Sequence, residues 1–291
     1  MKVLLTGASG FLGRYALNHL EKLAIDHVVV GRYMPSNLSG INFHHADLLA
    51  LTDFDELVRE VGATHLLHLA WYAEHGLFWQ SPTNLLWSQA TVRLVEAFCR
   101  LGGQKVVIAG TCAEYDWSHG YCVEDLTPAN PTTMYGVAKD ATRRLTQAVC
   151  AEHNVGWAWG RIFLPYGPGE DSRRLIPSLA AVFQGEGAPF GINAPAHRDF
   201  LHAEDVAAAF VVLLDAQAVG LFNVCSGQPM QLEQVVRQIA RAHGADPRIV
   251  LDLTSERTNE PAFLVGSNLR LQALGWRSLH SGDLFLADGA A

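Results

Sequence analysis

The chain is short of the features that mark several protein classes. Charged residues make up only 17% of its 291 positions, the net charge is -8, and no block of Lys and Arg occurs. That balance argues against nucleic acid as a partner. The five cysteines, Cys99, Cys112, Cys122, Cys150 and Cys225, are an odd number with no C-x-x-C spacing. Reduced thiols in a cytoplasmic protein fit this better than a disulfide framework, and no metal centre is expected. The longest apolar run, 206–214, is too short to cross a bilayer, so no membrane partner is expected. Lys2 passes straight into a strand pattern, so the start does not read as a signal peptide. Internal repeats and long linkers are absent.

Hydrophobic residues reach 49%, enough for one large α/β domain or a domain with a smaller lobe. The chain is organised around Thr6-Gly7-Ala8-Ser9-Gly10-Phe11-Leu12-Gly13. This stretch follows an apolar strand pattern at 3–5 and opens a helical pattern at 11–22. A strand, a glycine turn and a helix N-terminus together make an anion site, with first-turn N–H groups aimed at a diphosphate. At the first strand–helix junction of a chain, this predicts dinucleotide binding.

Further strand patterns follow at 27–30, 43–46, 65–69, 105–109 and 157–163. Helical patterns lie between them, one capped by Thr52 and running to 61, the others at 82–101 and 134–153. This alternation predicts a doubly wound parallel sheet of the Rossmann type. After Pro165 the rhythm changes and the elements shorten, and 251–276 reads as irregular. A cofactor domain at 1–165 and a smaller C-terminal substrate lobe at 166–291 are expected, with about 198–216 returning to the sheet. The second strand ends at Gly31-Arg32-Tyr33. Dinucleotide folds place a ribose-binding acid near there. Its absence, with Arg32 able to pair with a 2′-phosphate, predicts NADP, with NAD as the alternative. The aromatic segment Trp71, Tyr72, Phe78, Trp79 and Trp87 reads as the lining of a cleft or an oligomer contact, and His68 as a buried structural residue.

Thr111 closes the fifth strand, and Tyr135 and Lys139 stand one helical turn apart on the next long helix. Ketone reduction needs a proton donor placed on the carbonyl that accepts the hydride. Tyrosine can serve if its pKa falls; a drop of ~3 units needs about 4 kcal/mol of differential stabilisation. A nearby ammonium and an oxidised nicotinamide are charges of the right sign. The Thr111 hydroxyl can fix the same carbonyl oxygen. Thr111, Tyr135 and Lys139 are therefore the candidate catalytic residues.

These residues, with Asp47-Leu48, His68-Leu69-Ala70, Thr111 four residues before Tyr115, Tyr135-Gly136-Val137-Ala138-Lys139, Arg161 with Tyr166-Gly167-Pro168, and Arg198-Asp199-Phe200-Leu201-His202, resemble the extended short-chain dehydrogenase/reductase superfamily, in its NDP-sugar epimerase, dehydratase and reductase branch. The resemblance spans residues 1 to about 206, and Phe222-Asn223-Val224 with Ser226-Gly227 extends it. It implies cofactor contacts at Gly7, Ser9, Gly10, Phe11, Leu12, Gly13, Arg32, Asp47, Leu48, Leu69, Ala70, Tyr135 and Lys139. It implies that Arg198 holds the diphosphate of a nucleotide-sugar, with Arg174, Leu175 and Arg257 near other substrate contacts beside Thr111. The bland alternative for Arg198 is an ion pair with Asp199 or Glu204.

The departures narrow the activity. Dehydratases of this branch carry Asp-Glu directly after the strand-end threonine, where this chain has Cys112-Ala113. Glu114 and His119 are the remaining acid/base candidates. The chain is therefore expected to be an NADPH-dependent reductase of a nucleoside-diphospho-4-keto-6-deoxysugar. The alternatives are an NDP-sugar 4-epimerase with tightly bound NAD, and a nucleotide-sensing binding protein without turnover. A homodimer is expected through the helices at 82–101 and 134–153. Leu85, Leu86, Leu94, Val95 and Phe98 serve either that seam or the core.

Overall fold

The computed structural model describes residues 1–34, 40–215, 217–253 and 260–280. The apolar run after Met1 forms β1 (Lys2–Thr6), and α1 (Phe11–Lys22) starts directly beyond the glycine turn. There follow β2 (Asp26–Gly31), β3 (Phe43–His45), α2 (Phe54–Val61), β4 (His65–His68), α3 (Thr83–Arg100) and β5 (Lys105–Thr111). A two-residue β6 (Tyr121–Cys122) precedes α4 (Met134–Glu152), β7 (Gly156–Ile162), β8 (Leu164–Tyr166) and α5 (Leu175–Phe183). The remainder comprises β9 (His197–Arg198), β10 (Phe200–His202), α6 (Ala203–Val212), β11 (Gly220–Val224), β12 (Met230–Gln231), α7 (Leu232–Ala242), α8 (Arg248–Leu251), β13 (Phe263–Gly266) and α9 (Leu269–Ala273).

Seven strands join in one sheet, in the order β3-β2-β1-β4-β5-β7-β11, and every pair is parallel. The strand order reverses between β1 and β4, which opens a crevice at their carboxyl ends. One face of the sheet packs against α1 and α6 through Ala16, Leu17, Leu20, Val206 and Phe210. The other packs against α2 and α3 through Leu57, Val61, Leu94, Val95 and Phe98. Both faces are covered, so the central strands are apolar throughout, as parallel sheets require. A separate apolar cluster joins α5 and α7 through Leu179, Val182, Val235 and Ile239. Two segments from the second half of the chain thus complete the sheet: β11 pairs with β7 at its edge, and α6 lies on α1.

Two features differ from the sequence reading, and one open alternative is narrowed. The cap of α2 is Asp53, whose carboxylate accepts the Glu56 N–H at 3.0 Å. Thr52 instead offers its carbonyl to Arg93 at 2.7 Å. The tail is not irregular, because β13 pairs in parallel with β6 and β9, and α9 follows it. Leu94, Val95 and Phe98 are buried in the chain's own core, whereas Leu85 and Leu86 are exposed. All five cysteines are free and buried. Among the described residues no helix is long and apolar enough to cross a membrane.

Asp205 ties down the end of the described chain. It is fully buried at the start of α6 and accepts from the backbone N–H groups of Leu279 and His280 and from the Ser278 hydroxyl, at 2.7–3.0 Å. Among the described residues the tightest backbone approach is at Gly13, where an added Cβ would stand 1.9 Å from the Gly7 carbonyl oxygen. Gly13→Ala is therefore expected to destabilise the chain by about 1–3 kcal/mol, the range for overpacking, read as a lower urea midpoint at unchanged m-value.

Candidate active site

The crevice between β1 and β4 is lined by backbone. Gly7 has a φ of +80°, and a Cβ there would meet the Ala70 nitrogen at 2.7 Å and the Leu69 carbonyl carbon at 2.8 Å. Thr6 holds the two strand ends together: its carbonyl accepts from Leu69 N at 3.2 Å, and its hydroxyl accepts from Ala70 N at 3.3 Å. The Thr6 hydroxyl also meets His68 Nδ1 at 2.8 Å, and His68 Nε2 meets Thr91 at 2.9 Å. Burial pushes His68 down to about 3, so it is a neutral strut. Gly10 caps α1 with no side chain, and the first turn carries no acid, which leaves the helix start to a ligand. Ser9 and Gly10 are exposed beside it. A cradle that a Cβ would fill, backed by a bare helix N-terminus, fits the diphosphate of a dinucleotide.

Phe11 packs edge-on against Tyr15, and Leu12 lies against the apolar cluster under α1. Arg14 and Tyr15 hold the loop after β8, donating to the Gly169 carbonyl at 2.7 Å and to the Pro168 carbonyl at 2.9 Å. Asp47 follows β3, two strands from β1, and accepts from Leu49 N at 3.1 Å, while Leu48 is buried. Arg32 is exposed beyond β2, its guanidinium 5.7 Å from the Tyr33 ring centre.

Thr111, Tyr135 and Lys139 meet at the carboxyl end of β5. Thr133 caps α4 by accepting the Gly136 N–H at 3.1 Å, which sets Tyr135 in the first turn. That turn lies directly on the chain after Thr111: a Cβ on Gly136 would stand 2.3 Å from the Ala113 carbonyl oxygen. The half-buried Tyr135 is walled by Phe78 and Trp79, with ring centres at 4.8 and 5.9 Å. The aromatic segment therefore lines the cleft. Lys139 is buried, donates to the Ala109 carbonyl at 2.8 Å and lies 3.8 Å from the Trp71 ring centre.

In the chain by itself, desolvation dominates both groups. Burial raises the Tyr135 phenol, against the lowering effect of the Thr111 hydroxyl; Glu114 and Cys112 raise it further and Arg174 opposes them. Burial pushes Lys139 down to about 7, although Glu114 raises it. The lowered tyrosine pKa expected from the sequence is thus not a property of the chain alone. The Cys112 thiol is likewise raised by burial and is inert.

Arg174 caps α5, pairs with Glu170 at 2.8 Å and reaches the Pro165 carbonyl at 3.3 Å; Leu175 follows it as the first helical residue. Glu170 was not legible as a site residue; burial pushes it up to about 7. Arg198 is buried and makes neither of the ion pairs weighed for it. It donates to the His197 and Pro261 carbonyls at 2.9 and 2.7 Å and faces Glu260 at 3.4 Å. Asp199 is committed to Ser226, Gly227 and Gly266, and Glu204 to Lys22. Glu260 and Pro261 border a cavity of about 330 Å³ with Ala113, Trp117 and Thr133, next to the Tyr135 turn. Arg257 lies outside the described residues. His119 is exposed, and Glu114 is buried against Arg161, so neither takes the position of a free acid or base.

The chain matches the family described as NAD dependent epimerase/dehydratase over residues 3–225 and belongs to it, as an enzyme of the extended short-chain dehydrogenase/reductase type. It is 27% identical to the dTDP-6-deoxy-L-talose 4-dehydrogenase (NAD(+)) of Aggregatibacter actinomycetemcomitans, over 84% of this chain and 91% of that protein. It is 27% identical to the UDP-glucose 4-epimerase of Corynebacterium glutamicum, over 97% and 92% of the two chains. Among solved structures, MoeE5 in complex with UDP-glucose and NAD superposes with a TM-score of 0.84 at 26% identity, over 99% and 96% of the chains. The fold is shared with the Thermus thermophilus UDP-glucose 4-epimerase in complex with NAD, at a TM-score of 0.82 and 24% identity, over 98% and 96% of the chains.

The Lys139 ammonium is a cost to the ligand-free fold. Its folded pKa of about 7 lies below the ordinary 10.5, so between these values the unfolded chain binds the extra proton and stability rises with pH. Lys139→Met is expected to melt above the wild type at pH 6, with the gap closing toward pH 10, while turnover is lost. Calorimetry of the ligand-free proteins at the two pH values checks this.

Proposed function

We propose that the chain is an NADP(H)-dependent oxidoreductase that reduces the 4-keto group of a nucleoside-diphospho-6-deoxyhexose. The observation that carries the reading is the meeting of Thr111, Tyr135 and Lys139 at the carboxyl end of β5, the strand next to the β1–β4 crevice that holds the Gly7–Gly13 cradle. Similarity to a dTDP-6-deoxy-L-talose 4-dehydrogenase supports chemistry at the same sugar carbon. The division of labour follows: residues 1–165 hold the dinucleotide, and 166–291 form most of the nucleotide-sugar site.

Bound in the cradle, the nicotinamide supplies or takes the hydride. The Thr111 hydroxyl orients the sugar carbonyl, and Tyr135 gives its phenolic proton to the oxygen as the alcohol forms. Lys139, held at Ala109 and Trp71, supports the tyrosinate that remains and is placed to hold the nicotinamide ribose. Arg174 and Arg198 are the candidate diphosphate contacts. Arg32, exposed where no carboxylate ends β2, supports NADP(H) over NAD(H). The buried free thiols fit a cytoplasmic setting, and the exposed Leu85, Leu86, Val137 and Leu145 on α3 and α4 support a homodimer.

A second reading, an NDP-sugar 4-epimerase, is favoured by the similarity to UDP-glucose 4-epimerases. It uses the same three residues and recycles the cofactor. Stoichiometric NAD released on denaturing the purified protein would decide for it. The intact Tyr135 and Lys139 speak against a purely sensing protein.

Consumption of NADPH with a panel of nucleoside-diphospho-4-keto-6-deoxysugars tests the first reading; activity on small aldehydes alone would sink it. Tyr135→Phe is expected to lower turnover by ~10²–10⁴ at nearly unchanged cofactor Kd. Arg32→Ala is expected to cost about tenfold in kcat/KM for NADPH and to spare NADH. Light scattering at micromolar concentration should give twice the chain mass.

A further inference from the structure

A charge that the chemistry above does not use lies beneath Thr111, Tyr135 and Lys139. Glu114 ends the single turn after β5 and is wholly buried. Its Oε1 accepts from the Thr111 backbone N–H at 2.9 Å and from Trp159 Nε1 at 2.8 Å. Its Oε2 accepts from Arg161 Nε at 2.8 Å. Arg161, also buried, lies 4.2 Å over the Tyr115 ring, and the Tyr115 hydroxyl donates to Asn223 at 2.7 Å. Gly110 leaves the room for this arrangement, since a Cβ there would stand 2.0 Å from Trp159 Nε1. An ion pair sealed from water is a poor device for stability, because a packed apolar pair of similar volume does as well or better. The Thr111 contact is one half of a capping box, in which the Thr111 hydroxyl accepts from Ala113 N at 3.2 Å, so the carboxylate and the candidate catalytic residue are tied together through one turn.

We propose that Glu114 is a positioning residue of the Tyr135 site. It fixes the strand end that carries Thr111, and as the anion beside the site it favours the ammonium form of Lys139, the form that supports the tyrosinate left when Tyr135 gives its proton. The inference rests on the oxidoreductase reading for its consequence and on the Glu114 contacts for its substance.

The fields agree in sign. The carboxylate raises both Tyr135 and Lys139, opposing for Lys139 the larger effect of burial. The other groups facing Tyr135 are the Thr111 hydroxyl and Arg174, which lower it, and the Cys112 thiol, which raises it. Lys139 also faces the Ala109 carbonyl, the Trp71 ring and the neutral His68. Glu114 itself faces Arg161, Trp159 and the Thr111 N–H.

The first test needs no turnover. The chain has four lysines, Lys2, Lys22, Lys105 and Lys139, so a carbon-13 lysine spectrum can follow each one, with Lys139→Met giving the assignment. Glu114→Gln keeps the side-chain shape and an acceptor for Thr111 but removes the charge. The Lys139 midpoint is expected to fall by about one unit or more from its wild-type position. Glu114→Gln leaves Arg161 buried without its partner, so the double variant Glu114→Leu/Arg161→Met guards against a failure to fold. It should shift Lys139 in the same direction by less. In turnover with a 4-keto sugar, the alkaline limb of kcat should move to lower pH in both variants, and Glu114→Asp should restore it in part. An unmoved Lys139 midpoint in a folded variant overturns the proposal. A wild type inactive on every keto sugar would sink the oxidoreductase reading while leaving the Lys139 measurement to decide on Glu114.

Discussion

The site depends on backbone lying against backbone. Gly13 brings α1 onto the turn after β1, Gly7 brings that turn onto the end of β4, and Gly136 brings the first turn of α4 onto the chain after β5. At each place a methyl group would fall within 2.7 Å of a main-chain atom. Side chains can then be short and still meet. Thr111 and Tyr135 come within reach of one another because nothing larger than hydrogen separates their elements. A looser scaffold would need long side chains to span the gap, and each would add rotamer freedom to be lost on binding.

Once these elements are in contact, desolvation governs their charges. Tyr135 is held neutral by burial, and Lys139 is drawn close to neutrality by the same cause. The charged groups near them, Glu114 and Arg174, act as corrections to that larger effect. On the proposed reading, the cofactor and sugar would set the proton balance of the site against this background of desolvation.

The parts legible in the sequence are those carried by short spacing. The glycine turn, the strand-end Thr111 and the four-residue step from Tyr135 to Lys139 are local patterns, and the alternation of strand and helix as far as β7 follows from apolar periodicity. What stayed hidden is set by partners far along the chain. The four residues of β13 make a strand only because β6 and β9 lie on either side. Glu114 could be seen beside Thr111, but its partner Arg161 stands 47 residues on. Arg198 was visible as a candidate contact for the diphosphate of a nucleotide-sugar, yet its backbone partner Pro261 stands 63 residues away. The choice of Asp53 over Thr52 as a cap turned on a single residue, since both types cap well.

The late arrival of α6 and β11 has a consequence for how the chain is made. α1 leaves the ribosome well before the helix that covers it, which begins at Ala203, and β7 before the strand that closes its edge, which begins at Gly220. Until then the nascent chain carries an uncovered apolar face and an unpaired strand edge, the two features that recruit other chains. The half of the sheet that carries the glycine turn is thus completed only by elements made later, and a holding partner during synthesis would act on this face and this edge.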